Sequence, residues 1–245
     1  MEHSWFTTIL VQPIYNAFVG LISILPGADA GLAIIALTLI IRGIFLPTFA
    51  TAAKTQHAMR RVEGKVAEIN EKYKKDAVER GRKTMELFKE HGIRPFSSIL
   101  ALLIQLPVFI ALYAVFLREG FPEIAKDLLY SFTPTPEIVE HVFLGFLDLT
   151  EAHIIPLAII VVAVQYLQSR ISAGEMPQGL PEARKQMMLM QRQMLLYFLP
   201  FMMGVVSYTL PAAAGLYLLT NAAVSIVQEF LIVRKYKKED SNLGK

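Results

Sequence analysis

Long apolar runs alternate with short charged stretches along the chain. They cover about residues 31–49, 98–117 and 154–171, and a last stretch stays apolar from Leu195 to Val233. A bilayer core about 30 Å thick is crossed by about 20 helical residues, so each of the first three runs predicts one span. The last run would reach about 58 Å as one helix, twice what a membrane holds, and must fold back. Pro211, followed by the small residues Ala212 to Gly215, predicts the turn. The pattern therefore predicts an all-α polytopic membrane protein. Its core, residues 31–233, has five transmembrane helices at about 31–49, 98–117, 154–171, 195–210 and 212–233.

Two other segments carry different periodicities. Residues 1–30 predict an N-terminal amphipathic helix lying along the outer interface. There Trp5–Leu25 is apolar but interrupted by Gln12, Pro13 and Asn16, with Trp5 and Tyr15 as anchors. No Lys or Arg precedes it, which argues against a cleaved secretory signal. Within residues 54–91, Met59, Val62, Val66, Ile69 and Tyr73 recur at 3-4-3-4 spacing, the seam of a coiled coil. Asp76 and Glu79 form a capping pair that starts a second helix with Val78, Met85, Leu87 and Phe88 as its apolar face, and Gly92 and Pro95 end it. This predicts a cytoplasmic antiparallel helical hairpin between the first two spans, a docking arm for a partner or substrate or, more simply, a basic surface against anionic lipid.

Composition narrows the function classes. Hydrophobic residues make up 54% of the chain, charged residues 18%, and mean hydropathy is +0.44, which excludes a soluble globule and a disordered tail. With no cysteine there is no disulfide scaffold, thiolate metal site or cysteine nucleophile. Lys and Arg are absent from residues 1–30 and number twelve in 50–97, two in 118–153, four in Arg170 plus 172–194, none at the Pro211 turn and five from Arg234 onward. Because cytoplasmic loops keep positive charge, the alternation predicts an outer N-terminus and a cytoplasmic C-terminus, with 234–245 a short basic tail.

Polar residues inside the spans carry the candidate chemistry. Arg42 costs roughly 2.5–3.5 kcal/mol in a span even on the lenient scale, so something must compensate. It could snorkel to headgroups or pair with Glu229, the one acid in any predicted span. Thr38 is its i,i+4 neighbour; Tyr217, Asn221, Ser225 and Gln228 form a 4-4-3 stripe on the last span; Gln105, Gln165 and Gln168 are further polar span residues. Each alone reads as helix-joining polarity, while their convergence would line a wet groove holding an unneutralised positive charge. The motifs HExxH, GxSxG, GxGxxG and the phosphate-binding GxxxxGK[ST] are missing, so neither an enzyme nor a cofactor is predicted. The five histidines read as solvated surface residues, and the run Met187, Met188, Met190 and Met194 as core packing or interfacial filler in preference to a substrate slide.

Several stretches together resemble the YidC-type membrane protein insertase family, which has mitochondrial and chloroplast relatives. They are LTLIIRGIFLP (37–47), EKYKKD (71–76), LFKEHGIRP (87–95), LLIQLPVFIALY (102–113), FLDLTEAHIIP (146–156) and LPAAAGLYLLTNAAVSIVQ (210–228). Arg94 stands where the family usually has asparagine, and Leu218 where a tryptophan often follows the tyrosine. The resemblance implies an insertase and chaperone that inserts nascent membrane proteins through a hydrophilic, positively charged groove open to cytoplasm and lipid. Arg42 would attract acidic client flanks, Gln105 would line the groove, and 54–91 would be a mobile arm. The implied partners are nascent membrane proteins, membrane lipids and, as candidates, a Sec translocon and the ribosome, with no direct nucleic-acid contact. The implied address is a bacterial plasma membrane. The rival reading is a channel or small-solute transporter, though no inverted repeat is visible.

Overall fold

The computed structural model describes residues 5, 7–97, 100, 103–110, 123–173 and 182–243. Apart from the largely irregular segment 123–154, which carries one two-stranded ribbon, most of these residues are helical. A π-helical turn, Thr7–Val11, leads into α1 (Gln12–Ile24), followed by α2 (Ala30–Ile44), α3 (Leu46–Lys72) and α4 (Ala77–Glu90). Residues 103–110 form α5, and α6 is Ile155–Ala173. Helix α7 (Glu182–Gln193) continues through a π-helical turn, Met194–Phe198, into α8 (Leu199–Thr209), and α9 is Ala212–Leu243.

By length and composition, four described helical stretches can cross a membrane: Thr7–Ile24, Ile155–Ala173, Lys185–Thr209 and Ala212–Leu231. The bent pair α2 and α3 makes a fifth candidate. Most of the span expected at 98–117 lies outside the described residues. Thr7–Ile24, expected as an interfacial helix, packs Phe18, Val19 and Ile22 into the main core. Tyr15 is buried beside them, and its hydroxyl accepts from the Ala125 amide at 2.7 Å, so it is no interfacial anchor. Trp5 is exposed.

The single helix expected over 31–49 is broken. Helix α2 stops at Ile44, and α3 leaves at 70° with Pro47 in its first turn, where the missing amide costs nothing. Arg42 thus lies in the last turn of α2 instead of about two turns inside a longer helix, and a cation there is favoured by the helix dipole. Asp29 caps the other end of α2, accepting from the amides of Gly31 (2.7 Å) and Leu32 (3.0 Å).

Segment 123–154 seals that capped end. Asn16 of α1 donates to Leu128 O and accepts from the Tyr130 amide and the Thr133 hydroxyl. Ala30 N donates to Glu140 O (2.9 Å) and Ala213 N to Leu149 O (3.1 Å), which ties the segment to both α2 and α9. The ribbon of β1 (Val142–Phe143) and β2 (Leu147–Asp148) lays Phe143 on Gly31, where a Cβ would stand 2.2 Å from the ring. Close approach through small residues also joins the helices: Gly204 of α8 meets Val162 of α6, and Gly215 of α9 meets Leu157 of α6.

The hairpin has its own core of Val62, Leu87, Phe88 and Ile93, with Met59, Val66 and Ile69 packed against it. Asp76 Oδ1 accepts from the Val78 and Glu79 amides. Val78 is 83% exposed and Met85 50%, however, so the four-residue apolar face expected on α4 does not exist. Val78 and Met85 are seven residues apart and share one side, while Leu87 sits about half a turn round from them.

Candidate functional site: a guanidinium held by neutral oxygens

Two elements build the site. Arg42 reaches from the last turn of α2 toward the polar stripe of α9, whose 4-4-3 spacing stacks Tyr217, Asn221, Ser225 and Gln228 on one side. Its Nε donates to Asn221 Oδ1 at 2.8 Å and its Nη1 to Gln228 Oε1 at 3.0 Å. Nη2 donates to Asn221 Oδ1 (2.6 Å), Ser225 Oγ (2.7 Å) and Asn221 O (3.3 Å). Phe49, swung back by the bend after α2, lays its ring 4.3 Å from the guanidinium carbon. All five hydrogen bonds end on neutral oxygens, which solvate the charge without cancelling it.

The arginine is only 8% exposed, and the cavity beside it is about 10 Å³, about the room one water needs. Thr38, Gln105, Tyr217 and Asn221 line it together with Phe49 and Ile104. Gln105 Nε2 donates to the Tyr217 hydroxyl, and Thr38 Oγ1 donates to Ile34 O at 2.7 Å. The wide wet groove expected from the polar residues is therefore, at this depth, a packed hydrogen-bonded cluster. Among the described residues Gln165 has no hydrogen bond to the cluster and does not line the cavity, so seven of the eight expected site residues meet and the eighth stands apart on α6.

Glu229 is not the partner of Arg42. Its carboxylate lies 2.6 Å from His57 Nε2 of α3, a residue expected on the solvated surface and found with its side chain 24% exposed. Burial holds the Arg60 guanidinium below its ordinary range; Glu229 opposes that shift and Arg192 adds to it. Glu229 thus sits beside His57 and Arg60 of α3, leaving Arg42 its neutral shell. Nothing local signals the His57–Glu229 contact, since 172 residues separate the pair. Of the methionine run, Met187, Met190 and Met194 are exposed and so are not core packing, and Met190 and Met194 border a shallow apolar surface with Tyr197, Phe198 and Phe201.

Comparison with known proteins places this chain among relatives. The sequence model of the 60Kd inner membrane protein family matches residues 22–239. A membrane protein insertase YidC of Oceanobacillus iheyensis is 33% identical over 208 residues, covering 82% of this chain and 73% of that protein. One of Fusobacterium nucleatum is 29% identical over 207 residues, covering 84% and 86%. A longer one of Francisella philomiragia is 31% identical, with this chain spanning 33% of its length.

Proposed function

Because the chain belongs to the 60Kd inner membrane protein family, the YidC-type membrane protein insertases, which are not enzymes, we propose that it inserts its clients by offering the Arg42 charge to the acidic or polar flank that must cross. The observation that carries this reading is the all-neutral coordination of the guanidinium. An arriving carboxylate replaces neutral acceptors with an ionised one, and charge-assisted bonds are roughly twice as strong as neutral ones. The displaced Asn221, Ser225 and Gln228 keep partners in one another, in backbone and in entering water. Asn221, Ser225, Gln228, Gln105, Tyr217 and Thr38 form the polar wall along which the flank moves, and Gln165 stands farther along α6.

The path is short because segment 123–154 closes one end of the bundle while the hairpin side carries the basic loops. With the N-terminus outside and the C-terminus in the cytoplasm of a bacterial plasma membrane, the flank enters from the basic side and the client's apolar segment stays in lipid. The membrane potential then favours outward movement of each acidic charge by about 2.3 kcal/mol per 100 mV. No bond is made or broken in the client.

Proteoliposomes holding only the purified chain test this function. A single-span client with a short acidic outer tail should gain a protease-protected tail that protein-free liposomes do not give. Solute flux with no tail protection would instead establish the transporter reading.

A further inference from the structure

The strongest feature left unused by the Arg42 cluster lies at the root of the hairpin. Lys54, Ala58 and Arg61 fall at i, i+4 and i+7 on α3 and so share one face. Opposite them the chain leaves α4 through His91 and Gly92, whose φ of +63° turns it back, and Ile93 plugs into the hairpin core. That plug fixes where Arg94 emerges. Lys54, Arg61, His91 and Arg94 thereby line one cavity of about 420 Å³, with the small Ala58 at its wall and no carboxylate among its lining residues. Among the described residues Arg94 has no ion pair.

A second cavity of about 630 Å³ adjoins it, sharing Thr51 and Arg94, and its other walls include Pro47, Phe96, Leu100 and Leu103. Phe96, Leu100 and Leu103 are all more than half exposed. A basic hollow opening into an apolar trough, beside the bend where α2 gives way to α3, is complementary to one kind of molecule. We propose that this composite site binds one anionic phospholipid, its phosphate among Arg94, Arg61 and Lys54 and an acyl chain along Leu100 and Leu103. A lining with basic side chains and no carboxylate favours a headgroup of net negative charge over a zwitterionic one. Both volumes fall in the range of about 300–1,000 Å³ common to small-molecule sites. The bound lipid would pin the hairpin root to the inner leaflet, an ordered version of the diffuse attraction expected for a basic arm.

Native mass spectrometry of the full chain, purified in detergent and supplied with phosphatidylglycerol or phosphatidylcholine, reads this directly, whether or not insertion proceeds. The wild type should retain one phosphatidylglycerol in preference to phosphatidylcholine. Each removed cation should weaken retention about fivefold, the attraction of one Lys or Arg near an anionic surface. The pair Arg61→Gln and Arg94→Gln should therefore lose about 25-fold, and Arg94→Lys should restore most of the single-site loss. Thermal unfolding of Arg61→Gln alone, an exposed-face change, provides the folded reference if the pair is unstable. Equal retention of the two lipids, or retention that survives the double substitution, overturns the proposal. So does displacement by millimolar inorganic phosphate alone, which would make the ligand a free anion, or binding of an acidic client peptide in place of lipid.

Discussion

Leucine at position 31 is expected to unseat the segment that closes one end of the bundle. A Cβ on Gly31 would stand 2.2, 2.5 and 2.8 Å from Cδ2, Cγ and Cβ of Phe143. Because the third of these is the root of the side chain, ring rotation cannot relieve the clash and β1 itself must move. Overpacking of this kind costs typically 1–3 kcal/mol, and leucine adds three further carbons. The movement propagates, because the same segment is hydrogen-bonded to α2 through Glu140 and to α9 through Leu149. The chain has no native cysteine, so a single Leu149→Cys probe reads the change cleanly. Leu149 is 0% exposed; the probe should resist a maleimide with Gly31 in place and react readily once Gly31→Leu is added. Equal protection in both backgrounds would mean that the ribbon accommodates the side chain without opening.

The second large effect separates stability from function at one atom. Asn221 Oδ1 accepts from both Nε and Nη2 of Arg42, and Asn221→Asp keeps its shape while making that oxygen anionic. The variant should fold at least as well as the wild type, because the buried guanidinium gains a true counter-ion. Insertion of acidic-tailed clients should nevertheless fall by about 10- to 100-fold, since a bond to a charged group is worth about 1.5–3 kcal/mol and the variant carries its own competitor for it. Thermal unfolding in detergent and tail protection in proteoliposomes measure the two halves. An arginine that merely glues α2 to α9 predicts higher stability with undiminished insertion.

How far the amino-acid sequence foretells this site depends on whether the signal is local. Asn221, Ser225 and Gln228 were readable as acceptors on one side of a helix because helical spacing alone aligns them, and Arg42 stood out because a cation is costly in an apolar run. The fold-back between α8 and α9 was equally readable, from the excess length of the apolar run and from Pro211. The break after Ile44 was not, since hydropathy continues through Phe45, Leu46 and Phe49 and only Gly43 and Pro47 mark it. That break moves Arg42 to a helix end and delivers Phe49 to its guanidinium. His57 with Glu229 was invisible for a different reason: the contact depends on how α3 crosses α9, and a histidine on a basic hairpin looks solvated until that crossing is known. Polarity also fails to report free volume. Seven polar residues do converge, but they satisfy one another so fully that room for about one water is left.

Insertion should depend on the charge of Arg42 meeting the charge of a client's crossing flank. Insertion rates should be measured for the wild type and Arg42→Glu, each with a client whose outer tail carries acids and with the same client after those acids are changed to lysine. Arg42→Glu should fail on the acidic tail and regain a substantial part of its rate on the lysine tail. A defect of the same size for both tails would contradict that dependence and reduce Arg42 to a structural tie.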